Sequence, residues 1–255
     1  MASDDTPVIR LHGVTAGYDR DPVLVDVSLT IGPHDFLAII GPNGGGKTTL
    51  LKVILGLLEP WQGRVHRRGL ERPGAFGYVP QLAAFDGVLP LRVDELVALG
   101  RPEYLRRREP RERTREAVAA ALAQVGLGGR ARTEVSDLSG GQLQRALVAR
   151  ALVGEPSVLC LDEPLAAVDA EYRGILVDLL KDFHERNPVI LVTHDLTPFA
   201  HVVRQIACVN RTLHYHPEGR VSAESLEEVY GCPVELVSHG VPHRVLAPHD
   251  PEPEP

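Results

Sequence analysis

Gly41-Pro-Asn-Gly-Gly-Gly-Lys47-Thr48 is the stretch on which the reading of this chain turns. A short apolar run, Phe36-Leu-Ala-Ile-Ile40, precedes it, and Lys47–Leu58 follows with helical character and few breakers before Gly56. The stretch fits G-x-x-x-x-G-K-[ST], in which glycines let the backbone wrap a phosphate chain and aim N–H groups at it. The next helix presents its positive N-terminal end to the same anion. In this pattern Lys47 reaches the outer phosphates, and Thr48 offers its hydroxyl to Mg²⁺.

Outward from that loop, further unbroken apolar runs occur at Val158-Leu-Cys-Leu161 and Val189-Ile-Leu-Val192. Neither alternates, as expected of central parallel strands covered on both faces. Between them, Glu171–Arg186 places Ile175, Leu176, Leu179, Leu180 and Phe183 on one helical stripe. This β–α–β order predicts an α/β chain with an open parallel sheet. Upstream, Val23, Val25, Val27, Leu29 and Ile31 alternate with Leu24, Asp26, Ser28 and Thr30, predicting a strand with one mostly polar face. Val8–Leu11 is its expected partner, with Gly13 and Gly17 supplying turns. The stretch from about Val88 to Leu152 is rich in Ala, Leu, Arg and Glu and reads as an inserted helical lobe, with one helix near Glu112–Val125 and another starting near Gly141. Pro248–Pro255 is a Pro/Glu-rich tail with the composition of a disordered segment. No internal repeat is present.

Two more motifs carry chemistry. The apolar run ending at Leu161 meets Asp162-Glu163. An apolar strand that ends in Asp beside a phosphate-loop strand places a hard oxygen ligand where Mg²⁺ needs one, and Glu163 could orient or deprotonate an attacking water. Leu138-Ser139-Gly140-Gly141-Gln142, followed by Leu143-Gln144-Arg145, puts small residues at the start of a helix and makes a second anion-binding N-terminus.

With these motifs in this order the chain resembles the ATP-binding-cassette (ABC) ATPases, over roughly residues 7–220. The resemblance implies a P-loop NTPase fold with a parallel-sheet core lobe, an N-terminal antiparallel β subdomain and an inserted α-helical subdomain over 87–152. Residues 221–255 would form a C-terminal extension. It also implies roles. Gln81 looks like the Q-loop glutamine, Asp169 the D-loop residue, His194 the switch histidine, and Tyr18 the aromatic that stacks on adenine. Gly41, Pro42, Asn43, Gly44, Gly45, Gly46, Lys47, Thr48 and Thr49 would line the triphosphate. Thr48, Gln81 and Asp162 would hold Mg²⁺, Glu163 would be the general base, and His194 would contact the γ-phosphate. The family arrangement is a head-to-tail pair of cassettes, so Ser139, Gly140, Gly141 and Gln142 would close on the ATP of a second copy.

Within the family, Ala207-Cys-Val-Asn-Arg211 and Val229–His243 resemble the zinc/manganese-type metal uptake ATPases, as does Leu89–Gly100. Leu89 and Arg92 depart from that branch's Phe-Pro-x-Thr-Val stretch, and Leu165 stands where many relatives carry Thr. The implied partners are an integral membrane permease and an extracytoplasmic metal-binding protein. The implied location is peripheral, on the cytoplasmic face of the inner membrane. Another small solute or a lipid as cargo stays open, as does a non-transport ABC ATPase. The latter usually joins two cassettes or carries coiled coils or zinc modules.

Composition bounds these readings. The 255 residues carry 27 Lys+Arg against 34 Asp+Glu, a net charge of −7, and 44% are apolar. That excludes global disorder and disfavours a nucleic-acid partner. Cys160, Cys208 and Cys232 are widely spaced and form no CxxC pair, as expected of a reducing compartment. The start, Met1-Ala-Ser-Asp-Asp-Thr-Pro, lacks the features of a signal peptide, and no apolar run approaches the ~20 residues of a membrane span. Six histidines follow the switch region (His201, His214, His216, His239, His243, His249). Without a tight four-ligand Cys/His spacing they read as surface or loop histidines rather than a zinc-sensing tail, His214 and His216 sharing one strand face. The run Arg101, Arg106, Arg107, Arg108, Arg111, Arg113 and Arg115 is interleaved with glutamates and reads as a solvated helical surface.

Overall fold

The computed structural model describes residues 6–82, 90–106, 110–166, 169–218, 234–237 and 245–248. The chain divides into two compact units: the residues up to His66 with those from Leu191 onward, and Arg67–Ile190.

The first unit opens with β1 (Ile9–Tyr18) and β2 (Asp21–Ile31), an antiparallel pair from Ile9↔Ile31 to Tyr18↔Asp21. The turn is at Asp19-Arg20, where Asp19 has φ +54°. Gly13 and Gly17 therefore lie inside a strand rather than at turns. Gly13 takes φ +58° in a bulge: between Leu11↔Leu29 and Val14↔Val27, β1 holds one residue more than β2. Between Val14↔Val27 and Ala16↔Leu24 the extra residue is on β2, and Asp26 there has φ +52°, its N–H donating to Thr15 Oγ1 at 3.2 Å. This second bulge corrects the expected alternation. From Asp26 to Ile31 apolar residues point inward as read, but below it Leu24 is buried while Val23 and Val25 are half-buried. Next come β3 (Phe36–Ile40), wholly buried, α1 (Lys47–Leu55) and β4 (Gln62–Arg67), which lies beside β1 in the order β2-β1-β4. Gly56, in the left-handed region, ends α1 at Leu55, three residues short of the expected Leu58, with Leu57 N–H donating to Lys52 O at 2.8 Å.

The second unit holds β5 (Phe76–Val79), α2 (Val93–Ala98), α3 (Pro102–Leu105), α4 (Arg111–Gln124), α5 (Gly140–Leu152), β6 (Val158–Asp162) and α6 (Ala170–His184). β5 and β6 pair in parallel, Phe76↔Val158 to Val79↔Leu161. Of the α6 stripe, Leu176 and Leu180 are fully buried with Tyr172, whereas Ile175, Leu179 and Phe183 are half-buried. Those three line a groove of about 800 Å³ with Leu152, Asp178 and Asp182, so one side of the expected core face looks outward. The arginine run is mostly exposed as read, except that Arg101 is half-buried and donates from Nη1 to Val153 O at 2.8 Å. Arg107, Arg108 and Leu89 lie outside the described residues.

β7 (Val189–Val192) straddles the division, and in the first unit the hydrogen-bonded order is β3-β8-β9. β8 (Gln205–Asn210) runs parallel to β3, and β9 (Thr212–His216) returns antiparallel to it. Ala38, Ile40, Ile206 and Cys208 pack together there, under Leu196 and Val203. His214 and His216 fall two apart on β9, on one face as expected. In the C-terminal extension β10 (Val234–Val237) pairs antiparallel with β11 (Val245–Pro248). The Pro/Glu tail beyond Pro248, Cys232, His239, His243 and His249 lie outside the described residues. No helix among the described residues is long and apolar enough to cross a membrane.

A candidate nucleotide site

The phosphate loop leaves the carboxyl end of β3 and closes on α1. At Gly41 φ is +150°, and a Cβ there would collide with Val209 O of β8, so only glycine fits. Gly45 N–H donates to Pro42 O at 3.1 Å, and Gly45 O accepts from Arg211 N–H at 3.0 Å. The β8–β9 turn thus braces the loop from behind. Lys47 is buried at 9% exposure, with Nζ donating to Gly41 O at 2.9 Å and Pro42 O at 3.0 Å. Its charge therefore sits at the centre of the loop. The N-cap of α1 is Gly46, left-handed at φ +102° and without a side chain to cover the first-turn amides. Thr48 is half-buried and Thr49 buried, while Asn43 and Gly44 face solvent. These features suit the loop to an anionic chain: backbone donors, one ammonium and a helix N-terminus converge.

Two more predicted residues share this unit. Tyr18, 44% exposed at the end of β1, accepts a 3.2 Å hydrogen bond from Lys52 Nζ, which also lies 5.4 Å from the ring centroid. Lys52 is on α1, so the cation holds the ring beside the helix that carries the loop. His194 follows β7 and is exposed. Thr193 N–H donates to Ile39 O of β3 at 3.2 Å, and Thr193 Oγ1 accepts from Asp195 N–H at 3.1 Å. The histidine is thereby anchored one residue from a bond to the strand that ends in the loop.

The second unit presents the remaining residues. Gln81, exposed, follows β5, and Asp162 ends β6 at 1% exposure, followed by half-buried Glu163. Because β5 and β6 are parallel, all three emerge at carboxyl ends of neighbouring strands, where α/β sheets bind ligands. Glu163 takes φ +50°, a conformation costly for a residue with a Cβ and found disproportionately at functional sites. Leu138–Gln142, the segment that resembles the family's signature motif, opens α5 through a capping box. Gln142 N–H donates to Ser139 Oγ at 3.3 Å, and Ser139 N–H donates to Gln142 Oε1 at 3.0 Å. The S-x-x-Q spacing thus shapes the helix start, leaving Ser139 and Gly140 exposed. At the other end of α5, Arg150 Nη2 donates to Tyr78 O of β5 at 3.2 Å.

Asp169 caps α6: its Oδ1 accepts from Tyr172 N–H at 2.8 Å, and its Oδ2 accepts from Arg145 Nη2 at 2.7 Å. The Tyr172 N–H, aided by the Arg145 charge, holds this carboxyl below the usual Asp range. Lys52, Arg145 and Arg211 are the contributors that motif spacing missed. Each partner is non-local (Tyr18, Asp169 and Gly45 respectively), so no local pattern marks them.

A family profile described as ABC transporter matches residues 24–166, more than half of the chain. The chain belongs to the ABC transporter family. It is accordingly an ATP-binding ATPase of the P-loop fold. The zinc import ATP-binding protein ZnuC of Cereibacter sphaeroides is 39% identical over 207 residues, spanning 80% of this chain and 79% of that one. The protein of the same name from Saccharophagus degradans is 35% identical over 217 residues, 83% of this chain and 80% of that one. Among solved structures, an ATP-binding cassette dimer in a post-hydrolysis state with ADP and phosphate is 26% identical with a TM-score of 0.72. It covers 84% of this chain and 100% of that one.

Proposed function

We propose that this chain is the energy-coupling ATPase of an importer for a divalent metal ion such as zinc or manganese. The observation that carries the cargo is the likeness, across four-fifths of both chains, to a zinc import ATP-binding protein. The phosphate loop supports the ATPase part by its geometry alone.

In this reading, amides from Gly41 to Thr49 and the Lys47 ammonium hold the triphosphate, with Tyr18 against the adenine. Thr48, Gln81 and Asp162 offer hydroxyl, amide and carboxylate oxygens, a hard donor set that fits Mg²⁺. When bound, that ion supplies neutralisation of phosphate charge. Glu163 accepts the proton of the attacking water, and His194 contacts the γ-phosphate and orients that water. The strained backbone at Glu163 aims its carboxylate, while fixed donors around the phosphates supply most of the rate enhancement. A second copy of the chain, head-to-tail, brings Ser139, Gly140, Gly141 and Gln142 to the nucleotide and places Asp169 beside it. A membrane permease and an extracytoplasmic metal-binding protein complete the importer, with this subunit at the inner face.

The test is Glu163→Gln in the complex purified with its permease. It should bind ATP with unchanged affinity yet turn over at least about 100-fold more slowly, the lower end of what general-base removal costs. Near-normal turnover would sink the base assignment. Zinc- or manganese-dependent uptake, lost when the gene is deleted, decides the cargo; uptake unaffected by deletion would remove metal import.

A further inference from the structure

We propose that Arg145 is a positioning residue that ties the loop bearing Asp169 to the helix bearing the signature segment. The inference rests on the ATPase reading above and adds a residue to it.

The motif Leu138–Gln142 is followed by Leu143-Gln144-Arg145, and the motif itself explains nothing about that arginine. In the fold, Arg145 reaches across 24 residues of sequence to the start of α6. One nitrogen, Nη2, donates to Asp169 Oδ2 at 2.7 Å, and Cζ sits 4.5 Å from the centroid of the Tyr172 ring. Tyr172 is fully buried and donates its own N–H to the other carboxylate oxygen, Oδ1, at 2.8 Å. A closed set results: guanidinium on ring, guanidinium on carboxylate, and carboxylate on the ring residue's backbone.

An exposed ion pair would carry little, because two long side chains lose their freedom for a screened attraction. This pair differs on two counts. Arg145 is only 18% exposed, and stacking on a buried ring already fixes its plane, so little further freedom is lost in meeting Asp169. Asp169 is 61% exposed yet both its oxygens are engaged, one by α6 and one by α5. The carboxylate therefore links the two helices, beside the stack of Arg145 on Tyr172. Ser139 stands at the N-cap of α5, and Asp169 at that of α6. A displacement of the signature segment along α5 is delivered to the Asp169 loop through one side chain. Lysine could supply the charge but not the planar stack.

The experiment uses the full-length chain in a double-mutant cycle: Arg145→Ala, Asp169→Asn and the pair, with Arg145→Lys alongside. Asp169→Asn keeps an oxygen that can accept from Tyr172 N–H, so the helix cap survives. Two readouts are taken, kcat and KM for ATP, and hydrogen exchange of the amides from Tyr172 to Leu176. Each single change should lower kcat about tenfold with KM for ATP within about twofold, as coupling through one contact allows. The double variant should be no slower than the slower single, because partners in one contact do not add. Arg145→Lys should fall between wild type and Arg145→Ala. In Arg145→Ala the Tyr172–Leu176 amides should exchange about tenfold faster, a readout that stands whether or not the chain hydrolyses ATP. Losses that multiply in the double variant, Arg145→Lys as slow as Arg145→Ala, or unchanged exchange would overturn the proposal. A wild-type chain that bound ATP but never hydrolysed it would count against the ATPase reading alone, and the exchange result would still decide the pair. If Arg145→Ala does not fold, Arg145→Lys and Asp169→Asn carry both readouts.

Discussion

Two glycines of the phosphate loop, both at positive φ, should respond to alanine very differently. At Gly44, φ is +77° and nothing lies within 4 Å of where a Cβ would stand. The cost of Gly44→Ala is then the left-handed backbone alone, about 1–2 kcal/mol. Part of that is offset because alanine also restricts the unfolded chain, by about 0.4–1 kcal/mol. About 1 kcal/mol remains, or roughly 2–4 °C in melting temperature for a chain this long. At Gly41 the same atom meets Val209 O, backbone rather than a yielding side chain. Val209 pairs with Leu213 of β9, and the residue before it, Cys208, pairs with Ile40 of β3, so the oxygen has nowhere to go. The loop must move instead, breaking the Lys47 Nζ bond to Gly41 O. Gly41→Ala should cost about 4 kcal/mol or more, in the range kept for substitutions with a named steric cause, and melt about 10 °C lower. Thermal unfolding of both variants, with ATP affinity from a fluorescent analogue, measures the contrast. If Gly41→Ala melts within two or so degrees of Gly44→Ala and still binds ATP, then the close approach to Val209 does not constrain the loop and the reasoning fails.

Two further outcomes are expected. Burial pushes the Cys160 thiol well above the usual range and the Cys208 thiol up to about 12. In the native chain both should therefore alkylate at least about 100-fold more slowly than in denaturant; rapid native labelling of either, read by peptide mass, would refute the burial argument. Burial, and secondarily the charge of His214, lowers the His216 pKa. The unfolded chain then binds more protons than the folded one just below the ordinary imidazole value of 6.5, so stability should fall as pH drops through that window. His216→Gln should melt with a smaller difference between pH 7.5 and 5.5 than wild type; an equal difference would show that His216 is not the group responsible.

What could be read directly was whatever nature encodes within a few residues. The loop from Gly41 to Thr48, the S-x-x-Q start of α5 and the Gly56 end of α1 are set by neighbours in sequence. The β6 and β7 runs were legible because a strand covered on both faces needs apolar residues throughout. The strand β2 was half legible. Its alternation inverts at Asp26 because an extra residue is accommodated opposite Thr15, and that depends on a partner strand ten or more residues away. The α6 stripe misled for a related reason. Helical periodicity says which residues share a face, but how much of that face is covered depends on the neighbour, and Ile175, Leu179 and Phe183 are left on a groove. Among site residues, motif spacing names its candidates from local sequence, whereas Lys52, Arg145 and Arg211 act on distant partners that no local pattern marks.

The thirteen residues of α5 span about 20 Å. A capping box shapes its first turn, and two ties to other elements are spaced along its length: Arg145 to Asp169 midway, and Arg150 to Tyr78 O in the last turn. Tyr78 lies three residues before Gln81. A helix pinned in this way behaves as a crankshaft. A tilt about its Arg150 end carries Ser139, at the far end, through the longer arc and Arg145, midway, through the shorter. What the geometry supplies is a lever: the contact with Tyr78 O lies at one end of the helix and Ser139 at the other.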